Sequence, residues 1–210
     1  MRQMRTWIAT SLLAVACALP IPGLAREYNC SVTDTAGDAA SDAKGLGYAG
    51  ERYQDMVGSG IERSPGAITF SMEVADLIPS EPKMKNPNGL LLWMWGMNTG
   101  SAFPLGYPLA PGNSGLLEFW IHLAWNGSSF YAQVIDRRPT VQGGEPIVTA
   151  VPFIINGPTF KIIAPTSLFD DPAQFRWGST TWFWSSHLGT SGGHPVDRAP
   201  DDRVTDCFAN

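Results

Sequence analysis

The chain has 210 residues, of which 44% are hydrophobic and 16% charged, and a formal net charge of −5. An acidic balance without a cluster of Lys and Arg argues against nucleic acid and anionic lipid as partners. The length and apolar content suit one domain with a sizeable core.

Residues 1–25 read as a secretory signal peptide. Arg2 and Arg5 precede an apolar run over 7–19, Pro20 and Pro22 break it, and Gly23-Leu24-Ala25 supplies small residues before a cleavage site after Ala25. The run is shorter than the ~20 residues a membrane span needs. No later segment is long and apolar enough to span, so a secreted or periplasmic protein is expected, with residues 26–210 as its single domain. Cleavage removes two basic residues and no acidic ones, which takes the net charge from −5 to −7. It also removes Cys17 and leaves two cysteines, Cys30 and Cys207. An oxidising compartment favours their pairing. Such a bond requires Cα atoms within ~7 Å, so it would bring both ends of the mature chain to one pole.

Residues 31–50 are rich in Asp, Ala, Gly and Ser and read as loop. Residues 68–74 alternate apolar and polar, which predicts a half-buried strand with Ile68, Phe70, Met72 and Val74 inward. Residues 90–97 are apolar on both faces and predict a central strand, as do residues 116–125. Asn126-Gly127 then predicts a type I′ hairpin turn into a strand over 130–136. Further strand-like runs cover 146–155, 159–163 and 175–186. Helical spacing is nearly absent. Only residues 167–169, within 166–170, predict a short helical turn, with Thr166 or Ser167 as its cap. Many short strands separated by Gly and Pro predict an all-β fold, an antiparallel, jelly-roll-like β-sandwich.

Two groups of acids stand near the cysteines. Asp34-Thr35-Ala36-Gly37-Asp38 follows Cys30, and Asp197-Arg198-Ala199-Pro200-Asp201-Asp202 precedes Cys207. A Cys30–Cys207 bond would gather both groups, and converging carboxylates repel unless a cation sits between them. Ca²⁺ takes six to eight oxygen ligands from such loops. Asp34, Asp38, Asp197 and Asp201 are therefore the expected ligands of a structural calcium, with Gly37 permitting the turn and Asp55 nearby. The spacing is not that of an EF-hand, and Asp residues also serve as solvated turn formers and caps.

Aromatic residues supply candidate contacts. Trp93 and Trp95 share one strand face, as do Trp182 and Trp184. Such pairs more often pack a core than present a platform. Trp177 and Tyr107, nearer to loops, are the expected exposed ligand contacts, followed by Trp182 and Trp184. Flat rings beside small polar residues such as Gly178, Ser185 and Ser186 suit hydroxyl-rich ligands.

No catalytic constellation is visible. There is no G-x-S-x-G elbow and no HExxH motif. His122 lies between Ile121 and Leu123, where it is expected to point outward or sit partly buried and satisfied; His187 and His194 flank a Gly-rich stretch. Glu62, Glu73 and Glu118 carry carboxylates, but their separation in space is not legible from sequence.

Four stretches together resemble a known type of domain: Asp34-Thr35-Ala36-Gly37-Asp38, Met72-Glu73-Val74-Ala75-Asp76-Leu77, the 120–136 hairpin, and Asp197-Arg198-Ala199-Pro200-Asp201. In these the chain resembles secreted bacterial β-sandwiches of the DOMON and family-9 carbohydrate-binding-module type. The resemblance implies a jelly-roll-like sandwich, calcium near the termini, and ligand binding without catalysis. The expected function is a non-catalytic, calcium-stabilised, carbohydrate-binding module. The alternatives are a cell-envelope protein-interaction or structural domain, and an extracellular hydrolase.

Overall fold

A computed structural model describes residues 27–39, 51–84, 89–102, 117–184, 193–199 and 205–208. The signal peptide expected over 1–25, Tyr107, His187 and Asp201 lie outside the described residues, and Trp184 and His194 are described by backbone alone.

The strands are β1 (Asn29–Thr33), β2 (Met56–Ser64), β3 (Ala67–Val74), β4 (Leu90–Asn98), β5 (Phe119–Trp125), β6 (Phe130–Asp136), β7 (Ile147–Ala150), β8 (Phe153–Asn156), β9 (Thr159–Pro165), β10 (Gln174–Trp184), β11 (Gly193–Ala199) and β12 (Thr205–Phe208). All pairings are antiparallel. One sheet runs β1-β2-β3-β9-β8 and the other β11-β10-β4-β5-β6-β7, with β12 beside β10. The alternation read over 68–74 places Ile68, Phe70, Met72 and Val74 in the core. Across from them stand Leu91, Trp93, Trp95 and Met97 of β4. Phe160 of β9 packs edge-on against both Trp93 and Trp95, at 6.1 and 5.5 Å between ring centroids. The expected all-β sandwich is thus the fold. Among the described residues no helix is long and apolar enough to cross a membrane.

The run read over 146–155 is two strands in different sheets. β7 pairs with β6 and β8 with β9, so the chain changes sheets at Val151-Pro152. Pro152 has no N–H to continue a ladder, which makes it a natural corner. Strand β1 overlaps the start of the stretch over 31–50 read as loop, and β11 and β12 carry no strand signal in the sequence. These strands are short or polar, and each pairs on one side only, so apolar alternation is not required of them.

The hairpin at 126–129 forms with a different turn. Its central residues are Gly127 and Ser128, because the Asn126 N–H donates to the Ser129 carbonyl at 3.3 Å. Among this turn's residues only Gly127 has positive φ, at 91°, where a type I′ turn needs two. Asn126 caps the turn instead, its Oδ1 accepting from the N–H groups of Ser128 and Ser129 at 3.0 and 2.9 Å. The expected helical turn is a 3-10 turn, Thr166–Phe169, that buries Phe169 against Phe70 and Phe119.

Cys30 and Cys207 form a disulfide with 5.9 Å between Cα atoms. Because β1 and β12 belong to different sheets, the bond staples one sheet to the other along one side of the sandwich. The Val151-Pro152 corner closes the opposite side.

Candidate functional site

Strand β4 is buried on both faces. Its inward residues explain one face. The outward ones, Leu90, Leu92 and Met94, do not touch the other sheet, yet Leu92 and Met94 are only 9% and 7% exposed. Register shows what covers them. Trp182, Leu92, Ala124 and Tyr131 form one row across β10, β4, β5 and β6. Thr180, Met94, His122 and Gln133 form the next, and Gly178, Gly96, Trp120 and Ile135 a third. Small side chains alternate with large ones, so the rows leave a hollow. It measures about 230 Å³ and is lined by Leu90, Leu92, Met94, Trp120, His122, Tyr131, Gln133, Ile135 and Trp182.

Three residues of this lining carry polar atoms without partners. The indole Nε1 atoms of Trp120 and Trp182 and the Nε2 of His122 are buried and make no hydrogen bond. A buried polar atom left unpaired costs roughly 1–3 kcal/mol. Trp120 is further polarised by the Arg137 guanidinium, 4.2 Å from its ring centroid. His122 stacks edge-on to Tyr131, with 6.1 Å between centroids. Of the two expectations for His122, the outward direction holds; the satisfied one does not, because neighbouring strands bury the ring and its Nε2 has no partner.

Burial pushes the His122 pKa down from 6.5 to about 4. The unfolded chain takes up this proton near the ordinary value, whereas the folded chain resists it until about pH 4. The contribution to stability is thus complete above the unfolded value and is lost as pH falls through the folded one. At ~1.4 kcal/mol per pKa unit, up to about 3 kcal/mol is at stake. Urea unfolding at pH 4, 5.5 and 7 should show a steeper rise with pH for the wild type than for His122→Gln. Parallel pH profiles would refute this.

The acidic residues converge elsewhere. Carboxylate oxygens of Asp34, Asp38 and Asp197 lie within 4.8 Å of one another. Asp197, on β11, is buried and accepts hydrogen bonds from the N–H groups of Met56 at 2.5 Å and Arg198 at 2.7 Å. Burial, followed by the charges of Asp34 and Asp38, raises its pKa to about 7 against the pull of those two bonds. Gly37, at φ 93°, makes the turn that brings Asp38 back, and its N–H donates to Asp55 Oδ2 at 2.8 Å. The second oxygen of Asp55 is buried with no hydrogen-bond partner. An all-oxygen set with a buried member fits a hard cation.

Three of the four expected metal-site residues are therefore together, and Asp201 lies outside the described residues. Among the aromatics, Trp177 is corrected. It is fully buried, on the inward face of β10, and forms core rather than an exposed contact. Trp182, on the other face of the same strand, does line a site. Glu62 and Glu73 are exposed on the smaller sheet. Glu118 is buried next to β5, where it accepts from the Thr99 N–H at 2.7 Å, from the Thr99 hydroxyl and from the Ala102 N–H. That geometry anchors the turn after β4.

The sequence reading missed Trp120, Tyr131, Gln133 and Met94. A signal was present: a run apolar on both faces needs a second cover, and residues 90–97 have one only in part. Comparison of the chain with protein-family models, with curated proteins and with solved structures gives no match.

Proposed function

We propose that the chain is a non-catalytic, exported binding module that seats a small ligand in the hollow on the outer face of its larger sheet. The observation that carries this reading is the hollow itself, about 230 Å³ and largely apolar, with the rings of Trp120, Tyr131 and Trp182 and the polar side chains of His122 and Gln133 in its lining. Small-molecule sites are typically concave and mostly apolar, with a few polar groups that fix orientation. The expectation of a carbohydrate ligand loses Trp177 and draws support from the Trp182, Trp120 and Tyr131 rings. Thermal melting of the mature protein against a panel of glycans and small apolar compounds tests the reading. A ligand should raise Tm, and Trp182→Ala and Met94→Lys should each abolish that rise. A rise that survives both substitutions would put the ligand elsewhere and overturn the reading.

A structural calcium held by Asp34, Asp38 and Asp197, with Asp201 as a further expected ligand, is the companion proposal. Its support is the carboxylate convergence and the buried, unpartnered Asp55 oxygen beside it. A cation there would relieve the repulsion felt by Asp197 and tie the loop after β1 to β11. Ligand at a hundredfold excess over Kd stabilises by ~2.7 kcal/mol. For a domain of this size that is roughly 5–10 °C in Tm. Melting curves in EDTA and in added Ca²⁺ should differ by that order, and superimposed curves would sink the proposal.

A further inference from the structure

Strand β7 ends the larger sheet, and its outer edge has no neighbour among the described residues. We infer that this edge pairs antiparallel with β7 of a second copy of the chain, about a two-fold axis at Thr149, and joins two larger sheets into one.

The backbone sets the register. The Val151 N–H donates to the Ala132 carbonyl at 3.1 Å, and in the same ladder Thr149 stands opposite Val134 and Ile147 opposite Asp136. Main-chain groups point alternately to the two sides of a strand, so Ile147, Thr149 and Val151 turn theirs to β6. Val148 and Ala150 turn theirs outward. Pro146 and Pro152 have the same parity but bring no N–H. The open edge is therefore two donors and their carbonyls, bracketed by prolines. That window reads alike from both ends about Thr149. A second copy centred there sets Val148 against Ala150 and Ala150 against Val148, which makes four hydrogen bonds. A register slipped by two residues must call on the carbonyl of Pro146 or of Pro152, both outside the strand. The Pro152 carbonyl already accepts from the Ile163 N–H at 3.0 Å.

The side chains favour the same partner. Ile147 and Val148 are 56% and 55% exposed. Large apolar residues on a free edge invite pairing, and charged side chains are a usual guard against it. Here the guard is missing: from Pro146 to Phe160 the sequence carries no charged residue. Two copies of a chain with net charge −5 repel each other, and least where both are uncharged. Centred on Thr149, the pairing brings Ile147 opposite Val151 of the second copy. It also brings two threonines face to face, a favourable cross-strand pair. A ladder this short covers little area, so the dimer forms reversibly. Facing residues point to the same side of a sheet, so the outer faces of the two copies become continuous and both hollows open on one side.

Sedimentation equilibrium of the purified protein, with its disulfide intact, tests the pairing. The wild type should pass from monomer to dimer as concentration rises. Val148→Lys charges the edge without touching a bond to β6, so it should remain monomeric with an unchanged Tm. Cysteine substitution reads the register, on a Cys17→Ser background in which the two native cysteines left are bonded to each other. Facing residues that share no hydrogen bond have Cα atoms ~4.5 Å apart, within disulfide reach, so Thr149→Cys should cross-link to a dimer about tenfold faster than Val148→Cys or Ala150→Cys. A monomer at every concentration up to the solubility limit overturns the inference. So does a dimer that Val148→Lys leaves intact, or one that cross-links faster through Ile154→Cys on β8. Equal rates at 148, 149 and 150 would overturn the axis at Thr149.

Discussion

Replacing Cys207 with Ser is expected to lower the stability of the domain by about 5 kcal/mol, the chain entropy of a loop this long. The disulfide joins residues 177 positions apart, so the loop it closes holds most of the 210-residue chain. Opening it returns to the unfolded ensemble all the freedom that loop had lost. The native state suffers as well. Cys207 is 1% exposed, so a serine hydroxyl at this position enters an apolar core. The bond also crosses from β1 to β12, whose ladder to β10 is only four residues long. Urea unfolding of the variant, and of wild type with and without reductant, measures the effect. A loss below about 1 kcal/mol would mean that the hydrogen bonds and packing along this side hold the sheets together unaided.

The second large effect is expected at Trp177. Truncation to alanine should cost about 3–5 kcal/mol, the range for deleting a large aromatic side chain from a packed core. Trp177 is fully buried on β10, opposite Met97 of β4 and Thr205 of β12. Trp182→Ala removes a ring of the same size from the outer face, which is only partly buried, and should cost much less. Denaturation midpoints of the two variants, compared side by side, decide the matter. A wild-type midpoint for Trp177→Ala would contradict its placement in the core. The contrast has a practical side: loss of ligand binding in a Trp177 variant would report unfolding, whereas in a Trp182 variant it reports the site.

That pair also shows how far the sequence could be read. Positions 177 and 182 have opposite parity on one strand, so period two puts them on opposite faces. The pattern does not say which face is inside, because each carries tryptophan. Phe175, Thr181 and Phe183 side with Trp177 in the structure, and Gly178 and Thr180 side with Trp182. Alternation over 68–74 was legible because its polar positions face outward. The disulfide was legible once Cys17 was read as part of a signal peptide, since the two cysteines left have one partner each. The acidic cluster followed from it in outline. The groove was not legible, because it requires the register of β10, β4, β5 and β6, which are drawn from positions 90–184. Edge strands β1, β11 and β12 stayed hidden for a related reason. Their place is set by the backbone of a neighbour rather than by apolar residues of their own.

The staple between Cys30 and Cys207 makes the chain between them a covalent ring. A protease that cuts once within the ring, for example at the exposed tip around Asn126–Ser129, separates no fragment from the rest. The two pieces remain at the high effective concentration of a tethered pair, so their reassociation stays a first-order event that dilution does not slow. Wherever a released piece would be lost to diffusion, such a ring survives damage that would dismantle an open chain.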